Sequence, residues 1–382
     1  AAAVDTPIVV GQLGKPRLVH RVFRRWMRHN AHIEVIEPPS AVLFGDAAGE
    51  VYALDARDGA LLWKSAPGRS AGAAVSAAPV VYGDRLYVPL GPPARDPRGE
   101  GEVVALDLSS GSLAWRAQMP RSLLMNAGAS GLPASPTIDA RRGALYVAAG
   151  GEGAIVALSL LDGSPRWVAK PAEPVDPDAA PGPADPPILQ TLPNGHQVLL
   201  AANAAGVAFC LDPDRNGAPL WQTRLVAGAE DVDWSHAADH RNVYVAVADR
   251  RRRDGHARGV LAAVDIASGK LRWLKNAPPP NCVQGPACAR IHAHSVSVIP
   301  GIVFGASIGG HLRAYSTVDG SVVWDFDTAR SFQATDGSVA RGGRLGRGGA
   351  TVVDGMVYLD AAAAGDPRSA SGVLLAFSAG AK

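Results

Sequence analysis

Four histidines occupy positions where an imidazole could do chemistry: His32 in Ala31-His-Ile-Glu34, His236 in Trp234-Ser-His-Ala237, and His292 and His294 in Ile291-His-Ala-His-Ser295. A neutral imidazole accepts and donates hydrogen bonds, exchanges a proton near neutrality and ligates metal ions. Residues two apart on a strand share a face, so His292 and His294 are expected to project together. Asp185, Asp233, Asp336 and Arg341 lie in comparable positions, and His with Asp supplies general acid and base groups. The catalytic candidates are therefore His32, His236, His292, His294, Asp233, Asp336 and Arg341, while Trp234 and Asp185 are candidates for holding a cofactor. No metal-ligand set is assigned, although a metal ion fits these side-chain types. The competing reading is that each histidine is a scattered, hydrogen-bonded surface residue with no role in catalysis.

These residues need a scaffold, and the chain spells one out by repetition. Glu50-Val-Tyr-Ala-Leu-Asp-Ala-Arg-Asp-Gly-Ala-Leu-Leu-Trp63 recurs as Glu102 to Trp115, Ala154 to Trp167, Val207 to Trp221, Leu261 to Trp273 and His311 to Trp324. Each copy reads strand, tight turn, strand, with Gly supplying the φ > 0 position of the turn. The closing tryptophans fall at 63, 115, 167, 221, 273 and 324, a period near 50. That period, at four strands per unit, predicts an all-β fold: a β-propeller of four-stranded antiparallel blades. One sheet cannot bury both its apolar faces alone, so neighbouring sheets must stack around an axis.

Seven blades are expected, with eight as the alternative. Residues 1–30 lack the repeated turn, and Gly372 to Ser378 matches a third strand with no closing Trp after it. Leu18 to Trp26 is expected to supply that outer strand and close the ring, so that residues 1–30 and the propeller of 31–382 form a single domain. Blade one is expected over 31–67, with first strands carrying the candidate histidines toward the axis. Pro171 to Pro187 reads as a surface loop, since so many prolines exclude helix and central strand. Asp249 to Asp254 reads as a solvated arginine-rich turn.

The balance of 37 Lys plus Arg against 35 Asp plus Glu gives no electrostatic footprint for nucleic acid. No apolar run approaches a membrane span. Cys210 sits in an apolar strand, whereas Cys282 and Cys288 bracket a Pro/Gly loop that could close as a disulfide. A bridge there, together with an N-terminus reading Ala-Ala-Ala-Val-Asp, favours a periplasmic or secreted location. The expected partner is a small-molecule substrate; oligomeric state is not legible.

The Ala-Leu-Asp…Gly…Trp units resemble those of the pyrroloquinoline-quinone (PQQ) type propellers. Within that superfamily, Ile299 to Gly305, Gly310 to Tyr315, Val323 to Arg330, Ala340 to Gly343 and Asp354 to Tyr358 resemble polyvinyl-alcohol dehydrogenase. So do Asp84 to Pro89, Ser135 to Gly143 and the Cys282/Cys288 pair. The resemblance implies an exported alcohol oxidoreductase holding PQQ and Ca²⁺ on the ring axis, in an eight-bladed ring that sometimes carries a haem domain. It also implies an adjacent Cys-Cys pair after Leu86 to Leu90, where this chain has Gly91-Pro92. A Gly-Asn becomes Gly150-Gly151, and a lysine expected to reach the quinone becomes Asn203.

Three functions follow from these readings. One is a divergent propeller using His and Asp, or a metal, on a small organic molecule at the central channel. The second is a PQQ/Ca²⁺-dependent alcohol oxidoreductase. The third is a non-catalytic binding or scaffold propeller.

Overall fold

The computed structural model describes residues 9–12, 40–68, 73–92, 101–119, 134–149, 154–170, 185–203, 206–226, 232–249, 258–277, 292–307, 310–335, 337–362 and 372–378. The elements are almost entirely strands, grouped in antiparallel sheets that follow one another in chain order. Blade one comprises Val9–Gln12, Ser40–Gly45, Val51–Asp55 and Leu61–Ser65; blade two comprises Val80–Tyr82, Arg85–Leu90, Glu102–Asp107 and Leu113–Gln118. Blade three is Thr137–Asp139, Ala144–Ala149, Ala154–Ser159 and Pro165–Ala169, and blade four is Ile188–Thr191, Gln197–Ala202, Val207–Asp212 and Ala218–Arg224. Blade five is Val232–Ala238, Asn242–Asp249, Arg258–Asp265 and Leu271–Asn276; blade six is His292–Ile299, Ile302–Ser307, His311–Ser316 and Val322–Asp327. Blade seven contributes Arg344–Val353, Met356–Ala362 and Gly372–Ser378. The fold is a seven-bladed β-propeller.

One expectation is refined. The first strand of blade one is Val9–Gln12, whose Val9 pairs with Leu43 and Gln12 with Ser40, so that blade begins well before residue 31. The closure by Leu18 to Trp26 lies outside the described residues, as do the Cys282/Cys288 loop, most of 171–187 and most of 249–254.

The turn glycines Gly111, Gly163, Gly217, Gly269 and Gly320 all have φ between 69° and 73°. A Cβ added at each would stand 2.5 to 2.7 Å from the tryptophan of the preceding blade, namely Trp63, Trp115, Trp167, Trp221 and Trp273. Glycine is thus needed twice, for the left-handed turn and for the close approach of the indole. Four of these indoles also donate across the seam: Trp63 to Leu108 O at 3.0 Å, Trp115 to Leu160 O at 3.1 Å, Trp221 to Ile266 O at 2.7 Å and Trp273 to Thr317 O at 3.1 Å. Truncating a tryptophan packed this way would cost about 3–5 kcal/mol.

The register between third and fourth strands shifts at the same repeat position in blades one to six, beginning with Ala53/Leu54, Ala105/Leu106 and Ala157/Leu158. The same shift follows at Cys210/Leu211, Ala263/Val264 and Ala314/Tyr315. A bulge there adds twist to the outer strand just before its tryptophan.

Apolar side chains of adjacent blades interdigitate as a series of cores. The most extensive runs from Tyr146 of blade three through Phe209 of blade four to Val245 of blade five. At the seam of blades three and four, Arg142 is a bolt: it meets Asp139 Oδ2 at 2.6 Å, Asp214 Oδ2 at 2.6 Å and Gln197 Oε1 at 2.9 Å. The seam of blades six and seven is different. Trp324 stacks on Phe326 at 5.6 Å and meets Phe377 edge-on at 5.4 Å, while the Arg330 guanidinium lies 4.6 Å from the Phe326 ring.

Candidate functional site

One face of the ring carries the connections from second to third strands and from each blade to the next. The first strands start at that face, because Val232, the first residue of its strand, pairs with Asp249 at the end of its blade's second strand. Most of those connections lie outside the described residues, so the site is built here from the strand ends that lead into them.

Two sequence candidates come together across the seam of blades four and five. The backbone N–H of His236, in the first strand of blade five, donates to Asp185 Oδ2 at 2.9 Å. Asp185 stands just ahead of the first strand of blade four, and its Oδ2 is 3.7 Å from His236 Nδ1. That separation is too long for a hydrogen bond, and neither ring nitrogen has a partner of ordinary geometry. The His236 side chain is 1% exposed, whereas Asp185 keeps 27% of its side chain open. Burial lowers the His236 pKa to about 4, against a smaller opposing pull from the carbonyls of Pro186 and Leu200. The imidazole is therefore neutral at physiological pH.

His236 is buried beside Asp185 and near the carbonyls of Pro186 and Leu200. Its ring lies inside the seam, because the side chains of a first strand alternate toward the two neighbouring blades. Ser235 points the other way, its Oγ accepting from the Val296 N–H of blade six at 3.1 Å. Trp234 shares the His236 face and is 2% exposed within the core of blades three to five, its indole N–H unpaired. A tryptophan packed there is a core residue, not the open floor that a cofactor would stack on.

The side chains of Asp233, His292 and His294 lie outside the described residues. Asp233 is a backbone position in the first strand of blade five, opposite Ala248. His292 pairs with Ser307, and the register shifts between His292 and Val296. Arg341 is exposed on a short extra hairpin, Ser331–Gln333 with Val339–Arg341, in the connection from blade six to blade seven. It is thus not on a first strand, as its comparison with the histidines had implied. His32 and Asp336 lie outside the described residues, and the first-strand place in blade one is filled by Val9–Gln12.

A PQQ-type profile described as outer membrane protein assembly factor BamB matches residues 47–231 and 204–355, most of the chain. The chain belongs to the PQQ-type propeller repeat family. Within that family, it is 32% identical to a polyvinylalcohol dehydrogenase from Pseudomonas sp over 92% of its length, covering 66% of that relative. A polyvinylalcohol dehydrogenase from Sphingopyxis sp. is 29% identical over 89% of this chain and 62% of its own. The chain thus spans just under two thirds of the length of these relatives. The quinohemoprotein alcohol dehydrogenase of Comamonas testosteroni shares the fold, with a TM-score of 0.57 at 18% identity over 85% of this chain and 61% of that one.

Two of the positions at which the family resemblance implies quinone contacts, Asn203 and Gly91-Pro92, are among the described residues. Asn203, at the position expected for a lysine, is fully buried. Its Oδ1 accepts from Val207 N–H at 3.2 Å while its backbone bonds Val207 O and Gly206 N, so the side chain closes its own tight turn. Gly91 and Pro92, at the position expected for paired thiols, are buried, with Gly91 N–H donating to Ala74 O at 2.9 Å. Among the described residues no three His, Cys, Asp or Glu side chains are placed to hold a metal ion. Buried Cys210 is no substitute thiol: desolvation pushes its pKa up to about 12.

Asn203 and the Asp185/His236 pair show what residue reading missed. Asn203 sits where Asp46 sits in blade one, and Asp46 likewise caps its own turn by accepting from Ala48 and Glu50. Comparing the repeats at that position, rather than comparing with the family, is the signal that marks Asn203 as a turn residue.

Proposed function

We propose that this propeller acts on a hydroxyl-bearing organic molecule at the face carrying the second-to-third strand connections, within the alcohol-oxidising lineage but without that lineage's usual quinone contacts. The substrate class rests on likeness to the polyvinylalcohol dehydrogenases along nearly the whole chain. The single observation supporting the departure is Asn203, whose side-chain oxygen accepts within its own turn. Asp185 is the polar group of the buried pair that solvent reaches, and its carboxylate suits acceptance of a substrate hydroxyl proton or hydrogen bond. His236 supports it as a neutral neighbour. A periplasmic or secreted location is part of this reading, since the implied chemistry and the Cys282/Cys288 pair both belong to an oxidising compartment.

The test is a titration of the purified chain with PQQ and Ca²⁺, followed by absorbance, alongside calorimetry with 2,4-pentanediol as a fragment of a polyhydroxylated chain. Diol binding without stoichiometric quinone uptake is expected. Stoichiometric uptake with diol-dependent reduction of the quinone would restore the conventional oxidoreductase. A second reading, a scaffold propeller, is supported by the BamB description of the matching profile. Absence of both quinone and diol binding would favour it.

A further inference from the structure

The repeat provides an internal comparison on the opposite face, where first strands turn into second strands and third into fourth. In blade three the Tyr146 hydroxyl donates to Asp139 Oδ2 at 2.8 Å, and Arg142 brings its guanidinium to the same oxygen at 2.6 Å. Blade five repeats the pair: the Tyr244 hydroxyl donates to Asp239 Oδ2 at 2.8 Å. The turn differs. Asp139 and Tyr146 are 7 residues apart but Asp239 and Tyr244 only 5, so the shorter turn has no residue placed like Arg142.

Asp239 Oδ1 caps this turn by accepting from the N–H groups of Arg241 and Asn242, both at 2.7 Å. Among the described residues, no cation pairs with Asp239. Beside it is a cavity of about 810 Å³, lined by Asp239, Arg241 and Tyr244 with Ile299, Pro300 and Val318 of blade six. Asp265 and Arg272, also in its wall, neutralise each other. Arg241 is exposed and makes no ion pair with a described residue. The cavity therefore offers one carboxylate and one guanidinium without ionic partners among the described residues, in a lining that also includes apolar side chains.

We propose that this cavity binds a zwitterionic ligand of arginine type. Its guanidinium takes the seat beside Asp239 Oδ2 that Arg142 takes beside Asp139 Oδ2 in blade three, and its carboxylate meets Arg241. Methylenes of such a ligand would lie along Ile299, Pro300 and Val318, as the stem of a buried arginine does. A guanidinium donating to Asp239 Oδ2 makes a charge-assisted bond there, as Arg142 does to Asp139 Oδ2 in blade three. The same chemistry is offered by free arginine or by the C-terminal arginine of another chain.

Calorimetry on the full chain tests this with L-arginine, agmatine, and a peptide ending in arginine compared with its amidated form. Saturable L-arginine binding is expected, with agmatine and the amidated peptide weaker by at least about tenfold for want of the carboxylate. A free-acid peptide tighter than L-arginine identifies a chain terminus as the source, and equal or weaker binding identifies the amino acid. Asp239→Asn should weaken L-arginine by at least about tenfold. Arg241→Ala should weaken L-arginine while leaving agmatine unchanged. Because Asp239 also caps the turn, a second variant replaces His240-Arg241-Asn242 with Ala-Arg-Arg-Gly-Ala of blade three, which fills the seat from within and should abolish binding in a folded protein. No binding of any probe up to about 10 mM, or undiminished binding to Asp239→Asn or the graft, overturns the proposal.

Discussion

A methyl group on Gly163 would stand 2.5 Å from Cε3 of Trp115, the tryptophan of the preceding blade. Gly59, at the same turn position of blade one, has nothing within 4 Å, although its φ of 74° matches the 72° of Gly163. The two glycines separate conformational strain from steric exclusion. Gly59→Ala should cost about 1 kcal/mol from backbone strain alone. Gly163→Ala should cost about 2–4 kcal/mol, since the indole must also move. Urea midpoints of the two variants check this, and equal losses would show that the indole yields freely.

His236 makes stability fall in mild acid. Its folded pKa, about 4, lies below the ordinary 6.5, so the unfolded chain binds the proton more readily. The contribution is complete above pH 6.5 and is lost as pH falls toward 4, amounting to about 3 kcal/mol. His236→Gln should flatten the urea midpoint over that window. An unchanged wild-type midpoint between pH 7 and 4.5 would contradict the burial of the ring.

Asp139, paired with Arg142, titrates in a lower window. Asp139 is 1% exposed; burial alone would raise its pKa, but Arg142 and the Tyr146 hydroxyl bring it below the ordinary value. Its stabilising effect is present above the usual carboxylate pKa and lost as pH falls through the depressed one. Arg142→Met leaves a buried carboxylate unpaired and should cost about 3–5 kcal/mol, while Arg142→Met with Asp139→Leu should recover much of that. A double variant no more stable than the single would place the cost in Asp214 or Gln197 instead.

Asn203→Lys restores the family's residue type at a position with no room for a charge. It should destabilise the fold by about 2–4 kcal/mol and leave quinone uptake unchanged. A stable variant that takes up PQQ stoichiometrically would show that the turn can open.

The architecture was legible because its determinants are local and repeated: Gly and Trp at fixed offsets specify the turn and the seam together. Val9–Gln12 was not legible as the first strand of blade one, since it joins Ser40–Gly45 across a long sequence gap and carries no repeat motif. The same limit applies to the site. Asp185 and His236 are 51 residues apart, and proximity of that kind comes from blade stacking, which strand periodicity alone does not report. Strand position identified His236, yet whether a first-strand side chain meets the channel or a neighbouring blade depends on packing. Asp239 and Tyr244 escaped notice because each looks like ordinary turn and core chemistry until blade three is laid beside blade five.

The bulge repeated in the outer strands of blades one to six has a consequence for how these molecules behave in a crowd. Every blade of a propeller ends in a strand whose outer edge offers unpaired N–H and C=O groups, a template on which another molecule could add its own strand. A flat edge invites that growth, whereas a bulged and strongly twisted one offers too short a run of groups in register. By placing the irregularity in the duplicated unit itself, the chain gives each such rim the same protection against edge-to-edge association.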